Sequence, residues 1–503
     1  MNPFNARTSA PVAVRLLGGI VGGILLLSAL AGCGPSRFEM KRSAVDHANR
    51  GVRNYNAWDY DGAITEFTVA IEMDSAYVPA YYNRANAYLH KEVYDSAIAD
   101  YSTVINLDRK HVQAYNNRGI AHSRVGNDRQ ALLDYSRAIE IDQTYADAYY
   151  NRANLEMSLG RTDLAIKDYT EAISNGAYYA DAYFRRGNAY RESGQYSRAV
   201  DDYTSTIELD PGDALAYHNR GVVHHSTGEY RAAIEDYTRA IELDPVSVAT
   251  YRNRGRVYTD LGEYEKAITD YDRVMELDPL DADVLLNMAG LHEALGQSDR
   301  AISDYTRVTE LNPLSAEAYS ARAAIYYKRG DYQRAAEDFT RVLEVEPLAA
   351  DAHNNRGTAY DELGEYDLAI DDYNQAIEID PRYAEAYNNR GAAFARRRAN
   401  ERALADYTSA IRIKPDYAAA YYNRGNIHFN LGEYQPAIED FRRSIDLDPN
   451  LVNALYKLAR AFEASGLIDE AIESYSDFIM NAPAEYAPEI QRARKRLKAL
   501  RDS

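Results

Sequence analysis

Apolar residues recur along this chain at helical spacing, in paired runs separated by a glycine. The stretch Ala350–Tyr383, ADAHNNRGTAYDELGEYDLAIDDYNQAIEIDPRY, shows the pattern. His353, Gly357 and Tyr360 lie on one stripe, and Tyr366, Ala369, Ile370, Tyr373, Ala376 and Ile377 on another, so each run reads as a helix that buries one face. Gly364 separates the two, and Pro381 disfavours helix at Asp380 and ends the second. The unit is a helical hairpin. Sliding the register by 34 residues aligns Arg84, Arg118, Arg152, Arg186, Arg220, Arg254, Arg322, Arg356, Arg390 and Arg424 without an insertion, and Arg50 falls in line with them. Thirteen such units occupy Ala44 to Glu485, a period that indicates a solenoid rather than a globular enzyme domain.

Three positions govern how closely the helices approach. The eighth is Gly or Ala throughout, the twentieth is Ala in all thirteen units, and the twenty-fourth is aromatic in all thirteen. Small residues let the backbones close, and the aromatic ring fills the space between them. One hairpin cannot cover both of its faces, so stability has to come from stacking on neighbours.

These residues resemble the tetratricopeptide repeat, a match carried in one unit by Tyr217, Gly221, Ala233, Tyr237, Ala240 and Pro245. The resemblance implies an all-α fold, a right-handed superhelical solenoid of helix–turn–helix repeats whose first helices line an inner groove. The chain departs from the family at the seventh position, where eleven units carry Arg in place of Leu. An unpaired Arg on the apolar stripe would carry a heavy desolvation cost. The Asp found at the twenty-third position in eleven units is its expected partner, as Arg220 with Asp236, and the thirteenth unit loses both charges together, having Leu458 and Ser474. The register leaves open whether the pair forms within a unit or between neighbours. With Met288 in place of Arg, the first arrangement strands Asp304 and the second Asp270.

Both ends differ from the repeats. Arg7 and Arg15 precede the apolar run Leu16–Ala31, which leads into Leu30-Ala31-Gly32-Cys33. This resembles the bacterial lipoprotein signal, which implies cleavage of residues 1–32, lipid modification of Cys33, and a short polar tether over 33–43. Gly34 follows, and the Asp associated with inner-membrane retention is absent, so in a host with two membranes the expected location is the outer one, facing the periplasm. Cys33 is the sole cysteine, which excludes an internal disulfide framework. Residues 486–503 are expected to form a capping helix, Glu489–Leu500, with a basic face of Arg492, Arg494, Lys495, Arg496 and Lys498.

Formal charge is −20, and cleavage before Cys33 would remove two arginines and no acid. That balance argues against nucleic acid as a partner. The histidines His122, His224, His292 and His428 stand at the eleventh position, where other units have Tyr or Phe, and read as core substitutes. No spacing completes a metal site, so neither enzyme activity nor a cofactor is expected. Irregular units are candidate contact points: the eighth with Leu285 and Met288, and the eleventh with Arg396-Arg397-Arg398 in place of its turn signals.

The expected ligand surface is the inner face of the first helices. Its sixth position carries Asn83, Asn117, Asn151, Asn219, Asn253, Asn287, Asn355, Asn389 and Asn423, with Asn49 in the first unit. A carboxamide both donates and accepts, so a row of them suits the backbone N–H and C=O groups of an extended peptide. A second reading has each carboxamide bonding within its own repeat. The fifth position adds Tyr82, Tyr150, Phe184, Tyr422 and Tyr456 as aromatic anchors or saccharide platforms. The expected function is a membrane-tethered scaffold that binds extended protein segments in an envelope complex; the alternative is a saccharide-binding or exopolysaccharide-export scaffold.

Overall fold

The structure, a computed structural model, describes residues 36–176 and 179–502. Its elements are helices in alternating pairs, with no strand among the described residues. In the tenth repeat the helices are Ala350–Leu363 and Tyr366–Ile379. Gly364 between them has φ 79°, a left-handed conformation that closes the first helix at little cost only for glycine. Asp380 is extended ahead of Pro381 and ends the second helix.

The three small and aromatic positions form the hairpin interface. Ala at the twentieth position is fully buried from Ala63 to Ala471, and the aromatic at the twenty-fourth is buried from Phe67 to Tyr475. Burying a ring of this size is worth roughly 1.5–3 kcal/mol. The approach is close: a Cβ added to Gly255 would stand 2.5 Å from the Tyr271 ring.

The chain divides into two compact units, Met1–Glu229 and Tyr230–Ser503, the division falling between the two helices of the sixth repeat. In the first unit the opening helix is Arg37–Asn56, so helix begins inside the stretch expected to be a polar tether. Its cause is a capping box: Glu39 N–H donates to Ser36 Oγ at 3.2 Å, and Ser36 N–H donates to Glu39 Oε2 at 2.7 Å. Cys33 and the signal segment 1–32 lie outside the described residues. The second unit ends in the helix Ala487–Asp502, longer at both ends than expected. It buries Ala493 and lays Ile490, Leu497 and Leu500 on Tyr475 and Phe478 of the thirteenth repeat, capping the hydrophobic core. Among the described residues no helix is long and apolar enough to cross a membrane.

Candidate functional site

The arginines of the seventh position are braces. Arg84 Nε and Nη2 donate to Asp100 Oδ2 and Oδ1 at 2.7 and 2.8 Å, a bidentate pair within one repeat. The same fork joins Arg186 to Asp202, Arg254 to Asp270, Arg356 to Asp372 and Arg424 to Asp440. The third guanidinium nitrogen reaches back to the preceding repeat, where Arg84 Nη1 donates to Thr68 Oγ1 at 3.0 Å and Arg254 Nη1 to Thr238 Oγ1 at 2.9 Å. An arginine held in this way closes its own hairpin and ties it to the preceding repeat, whereas Arg50 of the first repeat pairs with Glu66. The hydrogen bonds it donates to Asp100 hold the Arg84 guanidinium above the ordinary arginine range, against the pull of burial.

The within-repeat geometry settles the question raised by Met288. Arg254 takes Asp270, so Asp304 is the stranded carboxylate, and His292 Nδ1 lies 2.7 Å from its Oδ2. His292 is buried, as a core substitute should be, but its ring bonds to a charge that elsewhere belongs to arginine. His224 and His428 pair with Glu229 and Glu433 at the start of the second helix. Two exposed arginines of the eleventh repeat bridge to the repeat before it. Arg396 donates to Asp361 Oδ2 at 2.6 Å and Arg397 pairs with Asp367, both in the tenth repeat, while Arg398 holds the turn at φ 60° without a glycine.

With the seventh-position arginines committed to structure, the sixth position holds the candidate binding groups. All nine asparagines lie on first helices. Several join neighbouring repeats, which neither sequence reading anticipated. Asn151 Nδ2 donates to Asn116 Oδ1 at 3.0 Å, Asn389 to Asn354 at 3.1 Å and Asn423 to Asn388 at 3.0 Å. Asn117 and Asn219 instead donate to ninth-position asparagines, Asn86 and Asn188, both at 3.1 Å. Those oxygens also accept from buried tyrosines, Tyr101 at 2.6 Å and Tyr203 at 2.8 Å. The result is a polar strip in separate runs, joining the second to fourth and the fifth to sixth repeats in the first unit and the tenth to twelfth in the second. A carboxamide has two N–H donors and an oxygen with two lone pairs; the inter-repeat bond takes one donor in Asn151, Asn389 and Asn423, while Asn117 donates to both Tyr82 and Asn86. Asn287 donates to Asp283 O in its own helix, Asn355 Oδ1 accepts from Asn354, and Asn83 and Asn253 bond to no other side chain among the described residues. The fifth-position aromatics are held against the core: ring centroids are 6.0 Å apart for Tyr82 and Tyr101, and 5.9 Å for Phe184 and Tyr203.

In the first unit this strip opens into a cavity of about 340 Å³ walled by Asn154, Met157, Tyr169, Arg185, Asn188 and Arg191. The fifth repeat carries Arg185 where ten of the thirteen have Asn. Burial pulls its pKa down, but the hydrogen bond to Asp181 at 2.9 Å and the electrostatic pull of Asp181 and the neighbouring tyrosines together raise it and hold it charged. Arg191 Nε is buried without a hydrogen-bond partner among the described residues. Nearby, burial and then Arg191 push His218 below the usual histidine range, so its ring is neutral at physiological pH. Donors, carboxamides, a thioether and the Glu192 carboxylate converge here, a chemistry that suits a peptide backbone with an apolar side chain.

Residues 146–175, 214–245, 316–347, 350–383 and 418–451 match the sequence profile described as tetratricopeptide repeat. Residues 187–228, 255–296 and 399–432 match one described as TPR repeat, and 78–111, 282–313 and 453–483 match further tetratricopeptide-repeat profiles. Together the matches span more than half of the chain, which belongs to the tetratricopeptide repeat family. Among solved structures it is similar to YrrB, "a TPR protein with an unusual peptide-binding site", at 23% identity over 37% of this chain and 94% of that one, with a TM-score of 0.35. It is similar to MamA at 26% identity over 33% and 92% of the two chains (TM-score 0.32), and to pilF of Pseudomonas aeruginosa at 23% over 43% and 98% (TM-score 0.36). No curated protein matches by sequence.

Proposed function

We propose that this chain is a scaffold that binds extended segments of other proteins along its first helices, and that lipid on Cys33 holds it at a bacterial envelope membrane, where it assembles a complex. The observation that carries the reading is the runs of carboxamides bonded from repeat to repeat within each unit, with a cavity beside Arg185 and Arg191 in the first. Such a strip offers paired donors and acceptors to a peptide main chain with little regard for its sequence. Peptide and glycan arrays probed with the purified chain test the first half, and binding to glycans alone would replace it with the saccharide reading. The Cys33→Ala change tests the second. Fractionation should find the variant outside the membrane with its repeats folded; a variant that stays in the membrane and functions would mean a different anchor.

A further inference from the structure

The inner face changes character at its C-terminal end. In the thirteenth repeat the sixth position is Lys457 rather than Asn, and the ninth is Arg460. The closing helix Ala487–Asp502 brings Arg492, Lys495 and Arg496 alongside. Arg460 and these three side chains, with Phe429, Tyr456, Glu463 and Tyr475, bound an open cleft of about 640 Å³.

The cleft holds more positive charge than it neutralises. Glu463 is committed, accepting from Tyr475 Oη at 2.7 Å and from Arg496 Nε at 3.2 Å. Glu489 takes Arg492 at 2.8 Å. Lys457, Arg460 and Lys495 form no ion pair among the described residues, and Arg460 lies over the Phe429 ring at 4.9 Å. Burial, then the neighbouring Arg460, push the Lys457 ammonium below the usual lysine range, as expected of cations gathered without a counter-charge. Elsewhere several cations that bridge repeats are matched, as Arg329 with Asp299 and Lys328 with Glu293. In a chain of net charge −20, an unmatched basic cleft with aromatic walls stands apart from its surroundings. Nucleic acid fits poorly, because Glu463 sits in the cleft and the acidic chain around it repels a long polyanion.

We propose that this cleft, built jointly by the thirteenth repeat and the closing helix, captures an acidic peptide segment, with a carboxylate between Arg460 and Lys495 and an adjoining apolar side chain against Phe429 and Tyr456. The inference rests on the reading that the inner face takes extended peptide, and gives the chemistry of the segment's end. Arginine and lysine supply charge-assisted bonds to the carboxylate, and the rings accept the apolar group.

The test uses the full chain and two fluorescein-labelled peptides of equal length, one rich in Asp and Glu with a single Phe, the other its Asn and Gln counterpart. Fluorescence anisotropy should show the acidic peptide binding roughly tenfold or more tighter, with the advantage shrinking at high salt. The double variant Arg460→Gln/Lys495→Gln should erase the advantage, while Arg494→Gln/Lys498→Gln, on the same helix but outside the cleft, should keep it. Circular dichroism confirms that both variants fold. Equal binding of the two peptides, or an advantage that survives the first double variant, would overturn the cleft while leaving the groove reading intact. Binding of neither peptide would overturn both. Displacement of the acidic peptide by millimolar inorganic phosphate would also overturn it, in favour of a small-anion site.

Discussion

Replacing Arg254 by Leu tests the bracing role of the seventh position. Arg254 gives Asp270 two hydrogen bonds, at 2.8 and 2.7 Å, and gives Thr238 one at 2.9 Å. Asp270 is 4% exposed and Arg254 16%. Removing the guanidinium leaves a carboxylate almost wholly out of water, and breaking a buried pair in this way costs about 3–5 kcal/mol. The partial exposure of the arginine gives water a path inward, so the lower end applies, about 3 kcal/mol. The thirteenth repeat shows what accommodates the loss, since Leu458 there faces a twenty-third position occupied by Ser474. The double variant Arg254→Leu/Asp270→Ser should therefore recover most of the stability. A repeat array need not unfold in one step, so the assay is native-state hydrogen exchange at the amides of Val248–Asp260 and Tyr264–Leu277. The single variant should exchange there roughly 100-fold faster and the double variant within about tenfold of the parent. Parent-like exchange in the single variant would refute the reasoning, because it would mean that the carboxylate is solvated without its arginine.

Arg398 holds a helix-closing turn at φ 60°, where most repeats have Gly, and its side chain is exposed. A non-glycine residue loses about 1–2 kcal/mol there and glycine's extra chain entropy takes part of that back, so Arg398→Gly should stabilise the eleventh repeat by roughly 0.5–1 kcal/mol in urea unfolding. Burial pushes the His122 imidazole below its ordinary range, and its Nδ1 is buried without a partner among the described residues. The folded chain thus holds the ring neutral where the unfolded chain protonates it: the stability is complete above about pH 6.5 and declines as the pH falls through that value towards the lower folded pKa. His122→Phe, the residue type of Phe394 and Phe462 at this position, should remove that part of the decline in unfolding midpoints measured between pH 7 and 5, a window set around the ordinary histidine value of about 6.5. A variant that declines as steeply as the parent would show that the ring is not desolvated.

The hairpin was legible in the sequence because its determinants repeat at fixed positions: the twentieth-position alanines and twenty-fourth-position rings are buried along the whole series. The Arg–Asp pairing was legible from the loss of both charges at Leu458 and Ser474, but its geometry was not, because one sequence period fits a pair within a repeat or across two. The third arm of each arginine was missed although a signal was present. The twenty-fifth position is Thr or Ser in most repeats, and where it becomes Asp272 or Arg442 the next repeat has Met288 or Leu458 in place of Arg. The bonds of the asparagines were hidden for another reason. Asn151 finds an acceptor in the fifth position of the repeat before it, and Asn219 in the ninth, so no single register predicts both. The early start at Arg37 lay in Ser36 and Glu39, a capping box inside a stretch whose polarity reads as linker.

The most direct test of the carboxamide face uses the positions that tie no repeats together. Asn253, Asn287 and Asn355 lie in the second unit, and none bonds to another repeat among the described residues. Changing all three to Ala breaks no bond between repeats; besides what they offer a ligand it removes two bonds within single helices, Asn287 to Asp283 O and Asn354 to Asn355 Oδ1, and Ala is the better helix former. The measurement is fluorescence anisotropy of the strongest array-selected peptide of about 12 residues, enough at about 3.3 Å each to cross four repeats, set beside the melting temperature of the same preparations. Three lost hydrogen bonds of about 0.5–1.5 kcal/mol each should weaken binding roughly tenfold or more with the melting temperature unchanged. Undiminished binding by the triple variant, or an array that yields no peptide at all, would contradict the account.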